Sequence, residues 1–237
     1  MIPAIEFDGV RRSFGRIVAV EHMDLTIGHG SFCGLIGHNG AGKSTALKML
    51  MGLLRPSEGR IRVNGKDVIA EPLEARRNLG AVPEEPAVYA YLTAREFLEF
   101  VAEIRGGGNV AAALELADLG ADADRLIREY SQGMRRKTAL AAAVLGDPAV
   151  LVLDEALNGL DPPSAARVRE WLRSYVDGGR TVLLSTHVVE TIERVADRVV
   201  MLAHGRVVAD EPVAGLAAGG LESLFLDRMR ETQERRP

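Results

Sequence analysis

One eight-residue stretch restricts the folds open to this chain more than any other. Gly37-His38-Asn39-Gly40-Ala41-Gly42-Lys43-Ser44 fits the pattern G-x-x-x-x-G-K-[ST]. It follows the apolar run Phe32–Ile36, which reads as a buried strand, and opens a helix predicted over about residues 43–51. Glycines let such a turn curl until successive backbone N–H groups point inward at an anion. Lys43 offers a mobile positive charge for β- and γ-phosphates, Ser44 a hydroxyl for Mg²⁺, and the helix start adds the positive end of its dipole. At average residue frequencies the pattern arises in about 1% of chains this long, and a strand before it with a helix after it lowers that figure. The loop, with Thr45 beside it, is expected to bind the phosphates of a nucleotide.

A second feature complements the first. Residues 150–153 form a short apolar run that ends in Asp154-Glu155. A strand delivers such carboxylates to the carboxyl edge of a sheet, where α/β proteins bind ligands. There Asp154 can hold Mg²⁺, directly or through water, and Glu155 can polarise an attacking water. Taken alone, a strand running into an acidic turn is common; beside a phosphate loop it gains a function.

Strands alternate with helices along most of the chain, which predicts an α/β fold with a mostly parallel sheet. A third strand is expected at residues 181–184, and a terminal hairpin at 199–203 and 206–209 around His204-Gly205. Residues 92–145 differ, with helical patterning throughout. Thr93 and Glu96 form a capping box, and Phe97, Phe100, Val101 and Ile104 fall on one helix face. Gly106-Gly107-Gly108 ends that helix. Residues 109–119 and 133–145 are alanine-rich and helical in propensity. A helical insertion thus splits an α/β core. The chain end after Glu222 turns polar and is expected to fray as a solvated tail.

Composition removes several function classes. The net charge is −4 over 237 residues, so no basic footprint marks a general nucleic-acid binder. The 29 basic residues include only Lys43, Lys48, Lys66 and Lys137 as lysines, an arginine bias that reads as genomic composition. Cys33 is the single cysteine, so no internal disulfide forms, and its apolar surroundings make it a small core residue. The N-terminal residues MIPAIEFDGV have no charged start followed by an apolar core and are not expected to act as a signal peptide. No run approaches the roughly 20 apolar residues of a membrane helix, so a membrane role would pass through a partner.

On these residues the chain resembles an ABC-type ATPase domain over nearly its whole length. Tyr130-Ser131-Gln132-Gly133-Met134 stands where that family carries its LSGGQ signature. Ser131 and Gly133 match, while Tyr130, Gln132 and Met134 depart from the pattern. Ser131 is also a good helix N-cap. Asn158-Gly159-Leu160-Asp161 resembles the D-loop, and Asp161-Pro162 starts a helix. His187 matches the switch histidine. Phe14, which alone would be called a core residue, matches the aromatic that stacks on adenine. Glu84, after Pro83, stands where the family usually has the Q-loop glutamine. The YSQGM form and Glu84 resemble the ATPase subunits of ABC-2-type exporters.

The resemblance implies a P-loop core of ABC ATPase type at residues 1–83 and 149–210, with an N-terminal antiparallel β subdomain. It implies a helical subdomain inserted at 84–148 and a tail at 211–237. It further implies that ATP and Mg²⁺ are bound by Phe14, Gly37, His38, Asn39, Gly40, Ala41, Gly42, Lys43, Ser44, Thr45, Asp154 and Glu84. In a second, facing subunit, Ser131, Gly133 and Asp161 would complete the site. Glu155, His187 and Lys43 would carry hydrolysis. A separate membrane permease would be the partner, at the cytoplasmic face of the membrane. The alternatives are a soluble ABC-type ATPase acting on ribosomes or DNA and a P-loop kinase; the first usually carries two such domains or long coiled coils, and the second has no need of Ser131, Asp161 and His187 in this order.

Overall fold

Apolar side chains of the central strands alternate between two faces, and the fold is the arrangement that covers both. We describe it from a computed structural model covering residues 2–214 and 220–234, the side chains of 229 and 231–234 excepted. The first strands, β1 (Ile5–Phe14) and β2 (Ile17–Ile27), pair antiparallel. After β3 (Phe32–Ile36) and α1 (Lys43–Leu50), the chain adds β4 (Glu58–Val63) and β5 (Lys66–Asp67) to the same layer, giving a sheet in the order β2-β1-β4-β5. A short α2 (Pro72–Arg77) leads to β6 (Leu79–Val82).

The helical insertion follows as α3 (Ala94–Arg105), α4 (Val110–Ala117) and α5 (Gln132–Ala143). The chain returns to the core with β7 (Val150–Asp154), α6 (Pro162–Asp177), β8 (Thr181–Thr186) and α7 (Val189–Val195). It closes with β9 (Arg198–Ala203), β10 (Arg206–Pro212) and α8 (Gly220–Glu234). The second sheet runs β10-β9-β3-β8-β7-β6, parallel except for the β9–β10 hairpin. The hairpin turn has positive φ at both His204 (49°) and Gly205 (77°), the signature of a type I′ turn.

Three clusters account for the core. Cys33, Leu35, Val150, Val152 and Leu183 point from the parallel sheet toward α1 and the antiparallel sheet. Their strand neighbours Phe32, Ile36, Leu151, Leu153, Val182 and Leu184 point the other way, toward α6, α7 and α8. This period-2 division explains why strands buried on both faces read as unbroken apolar runs. The insertion has its own core, with Leu98, Ile127 and Ala141 buried at its centre. Arg167 on α6 ties it to the main body through Asp118, the C-cap of α4.

Two sequence expectations are corrected. The capping box at Thr93 and Glu96 is present, but the buried face of α3 is Ala94, Phe97, Leu98 and Ala102. Phe100 and Ile104 are 40% and 68% exposed. Ala113 and Ala117 of α4 and Ala141 and Ala142 of α5 share the insertion's core with Phe97 and Leu98. The polar end does not fray at Glu222. It forms α8, because Leu221, Leu224 and Phe225 recur at helical spacing and pack on the α6–α7 side of the sheet. Residues 235–237 lie outside the described set.

Candidate functional site

Parallel strands leave a sheet at one edge, so whatever follows β3, β7 and β8 collects there. The loop after β3 is Gly37–Gly42, the pair at the end of β7 is Asp154-Glu155, and β8 runs out into His187. In-register pairing sets Asp154 directly beside Ser185.

The phosphate loop is held from below. The Gly205 N–H donates to the Ala41 carbonyl at 2.8 Å, and the His38 ring lies 5.1 Å from that of His204. Gly42 has φ 105°, and a Cβ there would stand 2.4 Å from the Ala19 carbonyl oxygen; no other residue fits this curl. Gly42 is also the N-cap of α1 with no side chain capping it, so the first N–H groups of the helix face the loop. Lys43 is buried, and its Nζ donates to the carbonyls of Gly37 (2.6 Å) and His38 (3.4 Å). Burial pulls the Lys43 pKa down, while Glu155, Asp154 and Glu84 pull it the other way. An ammonium in this position would be able to trade carbonyl oxygens for the oxygens of a bound phosphate without leaving the loop. Thr45 sits half-buried beside it, and Asn39 and Gly40 form the exposed rim.

The acidic pair divides its work by geometry. Ser44 Oγ donates to Asp154 Oδ1 at 3.3 Å, and Ser185 Oγ donates to the same oxygen. Asp154 Oδ2 is buried with no hydrogen-bond partner. A buried carboxylate oxygen without a donor is costly. Ser44 and Asp154 therefore fit Mg²⁺, and such an ion would supply charge neutralisation between phosphate oxygens. Glu155 has φ 50°, a left-handed conformation that costs on the order of 1–2 kcal/mol in a non-glycine residue. Its N–H is held by Ser185 O and Oγ, both at 3.1 Å. The carboxylate is clamped between Asn158 Nδ2 (2.7 Å to Oε2) and His187 Nδ1 (3.1 and 3.2 Å). Glu155 is buried and His187 exposed, so the carboxylate is oriented from the protein side.

The remaining predicted residues stand around this centre. Phe14 is 47% exposed at the end of β1, with the Arg12 guanidinium 4.4 Å from its ring centroid. One ring face is thus backed by a cation. Ser131 is the exposed N-cap of α5 and accepts from Met134 N–H at 3.2 Å. Tyr130, in place of a leucine, is buried and donates its hydroxyl to Asp122 O, so this departure serves the insertion's core. A Cβ on Gly133 would lie 3.1 Å from Gly159 O, which puts the signature segment against the loop that follows Glu155. Asp161 accepts from Ser164 N and Oγ at 2.9 and 2.8 Å. These bonds hold its pKa down and commit the carboxylate to capping α6. Glu84 is exposed at the joint between core and insertion. With Glu85 and Pro86 it lines a cavity of about 300 Å³ opposite Gln132, Arg135 and Arg136.

Sequence reasoning missed Ser185 and the side chain of Asn158. The signal for Ser185 was a hydroxyl ending an apolar run, two residues before His187.

The ABC transporter family matches residues 20–158. The daunorubicin/doxorubicin resistance ATP-binding protein DrrA of Streptomyces peucetius is 38% identical, over 98% of this chain and 72% of that protein. The Nod factor export ATP-binding protein I of Rhizobium sp. (strain N33) is 38% identical, over 87% of this chain and 70% of that protein. A solved ATP-binding subunit of an ABC transporter superposes with a TM-score of 0.85 at 28% identity, covering 94% of this chain and 99% of that one.

Proposed function

The chain belongs to the ABC transporter family as an ATP-binding, ATP-hydrolysing cassette, and from that premise we propose that it drives export through a separate membrane permease, as one half of a dimer that sandwiches ATP. The observation that carries the reading is the meeting of Lys43, Ser44, Asp154, Glu155 and His187 at one sheet edge. ATP phosphates lie in the loop, against Lys43 and the start of α1, with Phe14 stacked on the base. Glu155 accepts a proton from the attacking water, and His187 and Asn158 hold that carboxylate in place. Ser131, exposed at the start of α5, offers a helix N-terminus to the γ-phosphate held by a facing subunit. Export is favoured by the likeness to a Nod factor export protein.

Among the described residues no helix is long and apolar enough to cross a membrane. In this reading a permease supplies the pathway and holds the cassette at the cytoplasmic face. The face offered to it is the joint at Glu84. Shortly after Pro86, the exposed Tyr89 ring packs against Phe97 and Phe100 at 5.8 and 5.6 Å, making an aromatic patch with Ile104 nearby on α3.

Two results are expected. The isolated chain is expected to be a weak ATPase and mostly monomeric without nucleotide, since a facing surface that opens in every cycle cannot be a large apolar seam. A stable nucleotide-free dimer in light scattering would contradict this. Glu84→Ala is expected to leave the soluble ATPase rate within about two-fold, the scale of a surface change. Stimulation by the permease, and transport in lipid, are expected to fall. Abolished hydrolysis in the isolated chain would instead make Glu84 a metal or catalytic group.

A further inference from the structure

We propose that Ser185 is a positioning residue for ATP hydrolysis, its one hydroxyl setting both Asp154 for the metal and Glu155 for the water. The inference rests on the reading of Asp154 as metal ligand and Glu155 as base.

Ser185 is fully buried at the end of β8, directly opposite Asp154 in the parallel register. Residues 182–184 before it are apolar and buried, and an apolar residue at 185 would continue the run without any need for a partner. A hydroxyl in that position is unfavourable unless it is bonded. Here both of its capacities are used. A carboxylate only accepts, so the Ser185 proton must lie toward Asp154 Oδ1. The lone pairs that remain receive the Glu155 N–H at 3.1 Å. The direction of each bond is therefore fixed by chemistry.

Two consequences follow. Oδ1 of Asp154 is occupied by Ser44 and Ser185, so its open coordination falls on Oδ2, the buried oxygen with no partner. The Glu155 N–H is shared between Ser185 O and Oγ, which braces the backbone at its left-handed φ of 50°. That backbone setting aims the Glu155 side chain at Asn158 and His187. One serine thus couples the site of the cation to the site of the water. Outer groups of this kind typically change metal affinity or activity by roughly 10–100-fold.

The test uses the full chain in four forms: wild type, Ser185→Ala, Ser185→Thr and Asp154→Asn. Three quantities are measured: Mn²⁺ affinity of the ATPγS-loaded protein by electron paramagnetic resonance, kcat at saturating MgATP, and affinity for a fluorescent ATP analogue without metal. Alanine fits the serine volume and is expected to fold. Ser185→Ala is expected to weaken Mn²⁺ binding about ten-fold or more and to lower kcat about 10–100-fold. Metal-free nucleotide affinity should stay within about two-fold, which a general packing defect would not spare. Ser185→Thr, which keeps the hydroxyl, is expected to recover both losses. Unchanged Mn²⁺ affinity and kcat in Ser185→Ala, with Asp154→Asn defective, would overturn this inference alone. If Asp154→Asn also leaves Mn²⁺ binding intact, the assignment of Asp154 to the metal falls, and the inference with it.

Discussion

Replacing Lys43 with alanine is expected to remove most ATP binding and turnover while leaving the fold intact. Lys43 opens α1, and its ammonium is buried against the carbonyls of Gly37 and His38, inside the curl that receives phosphate. A hydrogen bond to a charged group contributes about 1.5–3 kcal/mol, so affinity should fall roughly 10–100-fold. Turnover should fall further, by about 10²–10³, because the same charge faces the negative charge that develops during phosphoryl transfer. Burial works against the charged lysine in the folded chain, so part of what alanine removes is a cost rather than a stabilising contact. The Lys43 pKa is lowered accordingly, and the cost holds at every pH below that folded value. The variant should still fold and melt cooperatively in calorimetry, while titration with ATP shows little binding. Wild-type affinity and turnover would sink the assignment of the loop.

The parts of this site that were legible in the sequence are those whose chemistry is contiguous. The loop at Gly37–Ser44 and the pair Asp154-Glu155 carry their roles in neighbouring residues, and a strand before each fixes the edge they reach. Ser185 and the Asn158 amide were not legible as partners of the acidic pair. Their roles depend on which strand lies beside β7 and on the turn after Glu155, and neither is a local property. The antiparallel sheet was expected from the resemblance alone, because its strands were hidden in the residues for a different reason. β1 and β2 pair with repeated register shifts, and positive φ at Gly9 and His22 breaks the alternation that marks a strand. In α3 the large residues misled: Phe100 and Ile104 lie on the apolar stripe but stay at the surface, where the proposed permease contact would cover them. In α8 the abundance of charge hid Leu221, Leu224 and Phe225, whose spacing alone announced a docked helix.

Glu155→Gln is expected to keep ATP binding and to slow hydrolysis by about 10²–10⁴, the range for a positioned base. The substitution preserves shape. A glutamine oxygen still accepts from Asn158 Nδ2, and the amide still meets His187, so the clamp on this side chain survives. What disappears is the carboxylate that takes the proton of the attacking water. A negative charge also disappears beside the place where the γ-phosphate would lie, which lessens repulsion with bound ATP. Both changes favour the closed state. If the facing subunit contributes Ser131 and Gly133 to that phosphate, the variant should accumulate with MgATP as a dimer of twice the wild-type mass in light scattering, and should return to monomer when ATP is removed. A wild-type rate would move the base elsewhere, with His187 the next residue to test. A slow variant that stays monomeric in saturating ATP would keep Glu155 as the base and reject the sandwich, because a dimer that forms on ATP binding and dissolves on hydrolysis must persist when hydrolysis is blocked.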